Sequence, residues 1–182
     1  MKKKIVKLFL GLVLSAAFLL SACSNGDSGG RAVADANGNF IPNGNFDDGD
    51  DLSPWVITNE ITEEVDLYDR ATDAISGSGS LHFYSPGTVD FLAVQELSGL
   101  EDGTYVLACF MQGDAAEHEI FLFAESGGTR FEVEGTLNGY VNWNNPSVDV
   151  TVSGGSITVG ISVTTGPGGW GTIDDVTLIK KN

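Results

Sequence analysis

The chain has 182 residues, with 25 Asp+Glu against 9 Lys+Arg and a formal net charge of −16 at pH 7. A nucleic-acid binder that works by neutralising phosphates needs a basic face, so that class is excluded, and the length leaves room for one domain. Glycine is abundant at 24 residues while hydrophobic content is an ordinary 42%, which is the balance of a folded, turn-rich domain and not of a disordered chain.

Lys2, Lys3, Lys4 and Lys7 make a basic start, and Leu8 to Leu20 follows as an apolar stretch. It is shorter than the ~20 residues a spanning helix needs and has the length of an export-signal core. The stretch ends in Leu20-Ser21-Ala22-Cys23, which resembles the lipobox of bacterial lipoproteins. That resemblance implies cleavage before Cys23 and a diacylglycerol on its sulfur; the alternative is ordinary secretion with Cys23 as a bystander. Loss of residues 1–22 would leave 5 basic residues against 25 acids, a net −20. Such a surface repels anionic lipid, so membrane attachment is expected through the acyl chains alone, with the protein extracytoplasmic and displayed on the cell surface.

Residues 23–39, rich in Ser, Asn, Asp and Gly, lack an apolar period and predict a flexible tether before a domain over 40–182. Cys109 is the one other cysteine. It lies in an apolar run with no neighbouring cation to lower its pKa, and is expected to be a buried structural thiol.

From residue 80 onward the apolar pattern alternates. Ile157, Val159, Ile161 and Val163 interleave with Thr158, Gly160, Ser162 and Thr164, and Val148, Val150 and Val152 do the same, as half-buried strands require. Further strands are predicted over 80–85, 90–97, 104–112, 119–125, 129–134 and 172–180, separated by turn signals such as Ser126-Gly127-Gly128 and Gly166-Pro167-Gly168-Gly169. The fold class is therefore all-β, a sandwich of roughly eight to ten strands and most consistent with a jelly roll. The strands around Tyr105–Met111 and Ile120–Ala124 are apolar on both faces, which means either deep burial or a second face carrying Phe110, Gln112, Phe121 and Phe123 as a binding surface.

Catalytic motifs are missing. The sequence has no His-Glu-x-x-His, Cys-x-x-Cys, Gly-x-Ser-x-Gly or phosphate-loop pattern. Acidic pairs such as Glu63-Glu64 and Asp174-Asp175 could serve a glycosidase, yet among 25 acids some adjacency is expected by chance. Asn43-Gly44-Asn45-Phe46-Asp47-Asp48-Gly49 is rich in oxygen ligands but fails the EF-hand spacing. Two readings stay open for these acids: a calcium ion held between the first and last strands, or solvated turns.

Flat aromatic side chains beside amides are the toolkit for stacking on pyranose rings and orienting their hydroxyls. Tyr84, Tyr140, Trp143 and Trp170 occur with Gln112, Asn142, Asn144 and Asn145 nearby in sequence. Trp170 lies within Pro167-Gly168-Gly169-Trp170-Gly171, where burial is difficult; the alternative is a tryptophan folded back over the core. Trp55 is expected in the core.

Three landmarks, Asn43-Gly44-Asn45-Phe46-Asp47 with Pro54-Trp55, Gly77-Ser78-Gly79-Ser80-Leu81, and Gly171-Thr172-Ile173-Asp174-Asp175-Val176, resemble the galactose-binding-like jelly rolls of carbohydrate-binding modules. Leu81-His82-Phe83-Tyr84-Ser85, Phe91, Gln95, Leu100-Glu101-Asp102-Gly103-Thr104-Tyr105 and Gln112-Gly113 are similar to family 61 modules, which accompany galactan-degrading enzymes. The resemblance implies a non-catalytic domain that binds β-1,4-galactan or a related galactose-containing glycan, a polysaccharide; from their side-chain chemistry Trp170, Tyr84, Trp143 and Gln112 are expected to form its site, on a monomer. It also implies a structural calcium held by Asp47, Gly79 and Asp174 or Asp175. An adhesion or assembly module binding a protein or cell-wall partner is the alternative function, and a small polysaccharide-active enzyme is a third.

Overall fold

The computed structural model describes residues 31–59 and 65–182. The expected leader, Cys23 and the first part of the tether lie outside the described residues. Eleven strands follow one another: β1 (Val56–Asn59), β2 (Val65–Asp69), β3 (Gly79–Tyr84), β4 (Val89–Ser98), β5 (Gly103–Asp114), β6 (His118–Ser126), β7 (Thr129–Gly135), β8 (Gly139–Asn144), β9 (Ser147–Val152), β10 (Ser156–Thr165) and β11 (Trp170–Lys180). They form two antiparallel sheets. The back sheet has the order β1-β4-β10-β6-β7, and the front sheet the order β2-β3-β11-β5-β8, with β9 also paired to β5.

The alternation explains the packing. Ile157, Val159, Ile161 and Val163 on β10 face Leu81, Phe83, Leu107, Met111 and Ile173 of the front sheet in one buried cluster, the interdigitated interior of a sandwich. Between β6 and β7, Gly127 and Gly128 both have positive φ, +57° and +76°, the two-residue turn whose twist suits a hairpin and which glycine adopts without strain. Trp55 is in the core as expected. Its ring stacks 5.8 Å from Phe46 and its Nε1 donates to the Asn43 carbonyl at 3.1 Å. Cys109 is wholly buried, and desolvation pushes its thiol far above the ordinary range.

Two expectations are corrected. The strand count is eleven among the described residues, because β1, β2 and β8 sit at sheet edges where few side chains are buried and the alternating signal fades. The folded part also starts earlier than residue 40. Arg31 Nε donates to the Gly99 carbonyl, Ala32 N to the Ser98 carbonyl, and Asn39 bonds Val176 and Leu178 through its side chain. Polar residues without an apolar period still dock when an asparagine supplies donors and acceptors to a strand that lacks a neighbour there.

Candidate functional site

In the front sheet the residues that point away from the core come into register across four strands. Asp66 on β2 pairs with His82 on β3, His82 with Thr172 on β11, and Thr172 with Gln112 on β5; one step along, Tyr84 pairs with Trp170 and Trp170 with Asp114. Directly opposed residues on one face have Cβ atoms ~5 Å apart. A run of polar side chains and a pair of aromatic rings are thereby set side by side.

Of these, His82, Thr172, Tyr84 and Trp170 line a groove of about 280 Å³, which Tyr68, Arg70 and Asp73 complete. Tyr140 of β8 flanks it, with its ring 6.3 Å from that of Trp170 and tilted by 47°, and its hydroxyl donating to the Thr72 carbonyl at 3.1 Å. The edge strand and the loop after β2 are thus tied together across the sheet. Of four larger clefts, those of about 610, 630 and 510 Å³ have no Trp, Tyr or Phe in their lining, and that of about 360 Å³ has the core residue Phe46 alone.

Not every ring in the groove is free. Tyr68 stacks on His82 with centroids 3.6 Å apart and planes within 11°, and the Arg70 guanidinium lies 4.5 Å from the Tyr68 centroid. A stacked imidazole and a cation–π contact thus both engage that ring. His82 is anchored in turn by Asp66, Nδ1 to Oδ1 at 2.6 Å. The rings with open surface are Tyr84 and Tyr140, each 48% exposed, and the half-buried Trp170.

Of the residues expected from sequence, Tyr84 and Trp170 come together at this groove. Gln112 does not reach it. Its side chain is completely buried, with Nε2 donating to Thr172 Oγ1 at 3.1 Å and Oε1 accepting from the Val141 amide at 2.5 Å. Trp143 is half-buried on β8, next to Asn144, and is not among the lining residues. The sequence reading missed Tyr68, Arg70, Asp73, His82 and Thr172 as lining residues. The alternation in Ser80–Ser85 places His82 beside Tyr84 on one face, but which strand lies next to β3 is a matter of register that no local pattern carries.

The residues expected to hold calcium all meet the turn over 75–79, where their oxygens accept donor hydrogens. Asp47 accepts the amides of Ser78 and Gly79 at 2.9 and 2.7 Å and the Asn45 amide at 3.1 Å. Asp174 accepts Ile75 N and Ser76 N on one oxygen and Asp175 N on the other, while Asp175 accepts from the Ser76 hydroxyl. Gly79 presents its N–H, not its carbonyl, to Asp47. Among the described residues there is no group of three or more His, Cys, Asp or Glu suited to a metal. As they stand, Asp174 and Asp175 clamp the 75–79 turn onto β11. Burial raises the Asp174 carboxyl to about 6 despite those three amides.

With this geometry in hand, the fold is compared with known proteins. No family model matches the chain, and no curated protein matches it. Among solved structures, the module TmCBM61, determined in complex with β-1,4-galactotriose, superposes with a TM-score of 0.72 at 27% identity over 79% of this chain and 99% of its own. The chain has the fold of a family 61 carbohydrate-binding module. Other β-sandwich modules share the architecture at lower identity. A family 16 carbohydrate-binding module matches with a TM-score of 0.57 at 14% identity over 78% of this chain and 100% of its own. A CBM4 module matches with a TM-score of 0.52 at 15% over 78% and 99%. The all-β sandwich expected from the alternation and the resemblance to family 61 both hold.

Proposed function

We propose that the chain is a non-catalytic glycan-binding protein whose ligand is β-1,4-galactan or another galactose-containing polysaccharide, displayed outside the cell by a diacylglycerol on Cys23. The observation that carries the binding reading is the pair Tyr84 and Trp170, side by side in register with exposed ring surface on the outer face of the front sheet. A flat apolar ring face matches the C–H face of a pyranose and presents large area at low entropy cost. The likeness to a module solved with β-1,4-galactotriose supports galactan as the first ligand to try.

Binding without cleavage is supported by the lining itself. Hydrolysis of a glycosidic bond uses two carboxyl groups flanking it, and Asp73 is the one carboxylate among the residues that line the groove. The lipid anchor rests on the Leu20-Ser21-Ala22-Cys23 signal.

Affinity electrophoresis in gels containing galactan tests the reading. The wild-type domain is expected to be retarded, and Tyr84→Ala to run nearly as in a gel without polysaccharide while keeping its melting temperature. Equal retardation of both proteins would remove the aromatic face from binding.

A further inference from the structure

The groove floor holds two polar groups whose hydrogen-bonding roles are fixed from behind. In the neutral imidazole of His82, Nδ1–H donates to the Asp66 carboxylate at 2.6 Å. The other nitrogen, Nε2, is therefore an acceptor. Among the described residues it has no hydrogen-bond partner, and the side chain keeps 13% of its surface open to the groove. Stacking on Tyr68 at 3.6 Å holds the ring plane. Thr172, directly opposite on β11 and lining the groove from beneath with 1% of its surface exposed, is set in the reverse sense. Gln112 has its carbonyl oxygen engaged by the Val141 amide, so its NH2 group must face Thr172 Oγ1, which accepts it. The threonine hydroxyl hydrogen is then left to be donated.

We propose that His82 and Thr172 form a fixed acceptor–donor pair that reads one free hydroxyl of the bound glycan, an inference that rests on the binding reading above. A sugar hydroxyl donates one hydrogen and accepts another, so a single hydroxyl satisfies both groups. An ether oxygen or an acylated hydroxyl satisfies only Thr172 and leaves the His82 acceptor unpaired. Stacking on Tyr84 and Trp170 supplies contact area, and the pair supplies specificity. Asp66 and Gln112 act as positioning residues: neither needs to touch the sugar.

Isothermal titration with β-1,4-galactotriose tests this. His82→Phe keeps a ring to stack on Tyr68 and removes the acceptor; Thr172→Val removes the donor, and Thr172→Ser restores it. His82→Phe and Thr172→Val should each weaken binding roughly three- to tenfold. Thr172→Ser should bind like wild type, and the double variant should be weaker than either single one, with a loss that departs from the sum of the two because both bonds are made to one hydroxyl. Nitrogen-15 shifts of the His82 ring, which a purely structural role would leave unmoved, should show the proton on Nδ1 and a change at Nε2 when galactotriose is added. If His82→Phe binds like wild type while Trp170→Ala does not, the pair is refuted and the aromatic face stands. If wild type binds no galactotriose, galactan binding and the pair fall together.

Discussion

The two outer faces of the sandwich carry aromatic side chains by the same period-two rule and treat them oppositely. On the back sheet, Phe123 of β6 lies over Gly160 of β10, where an added Cβ would come within 2.4 Å of its ring, and the Arg130 guanidinium covers it at 3.8 Å. Arg130 is held there by Glu125 and Glu132 at 2.8 and 2.7 Å. Only 3% of Phe123 is exposed. On the front sheet, Tyr68 is covered by Arg70 and His82, but Tyr84 and Trp170 keep ring surface open. An aromatic residue pointing away from the core is thus no evidence of a site by itself. What decides is whether a neighbouring cation or ring already occupies its face.

The contrast can be broken by exchanging the roles. Phe123→Ala should cost about 3 kcal/mol of stability, since a buried ring is lost and Arg130 loses its platform, yet galactan retention should be unchanged; chemical denaturation and affinity gels read the two effects.

Asp174, under the front-sheet turn, gives a second effect of similar size. Its carboxyl sits at about 6 against an ordinary 3.8. The native protein therefore holds more protons than the unfolded chain between about pH 4 and 6, and stability falls as pH rises through that window. Acidification from pH 7 to 5 should recover part of a total on the order of 2–3 kcal/mol. In Asp174→Asn this group's share of the pH dependence should vanish. The smallest effect is expected from chelation. With Asp47 and Asp174 already committed to backbone amides, the melting temperature should be the same with calcium and with a chelator, and a rise of several degrees with calcium would show that the turn rearranges around a cation.

Much of this was legible in the sequence and the rest was not, for physical reasons. Strong alternation marked β10 and β9, and Trp55 and Cys109 fell inside as their surroundings indicated. Trp170 is a different case. Its glycine-rich neighbourhood signals a loop, whereas it opens β11 in register with Tyr84 and Asp114, because β3 and β5 supply pairing partners on both sides. Gln112 was a natural candidate by residue type, but its side chain is wholly buried, with Oε1 held by the Val141 amide of β8 and Nε2 by Thr172, so no part of it is open to a ligand. Asn39 shows the converse, a residue in polar chain that locks onto β11.

The central claim is that the open front face, and not the sealed back face, meets the glycan. Titration of wild type, Trp170→Ala and Phe123→Ala with β-1,4-galactotriose tests it most directly. Loss of a central stacking tryptophan should cost about 2 kcal/mol, roughly thirtyfold in Kd, while Phe123→Ala, measured under conditions where it is folded, should bind like wild type. Undiminished binding by Trp170→Ala together with weakened binding by Phe123→Ala would contradict it.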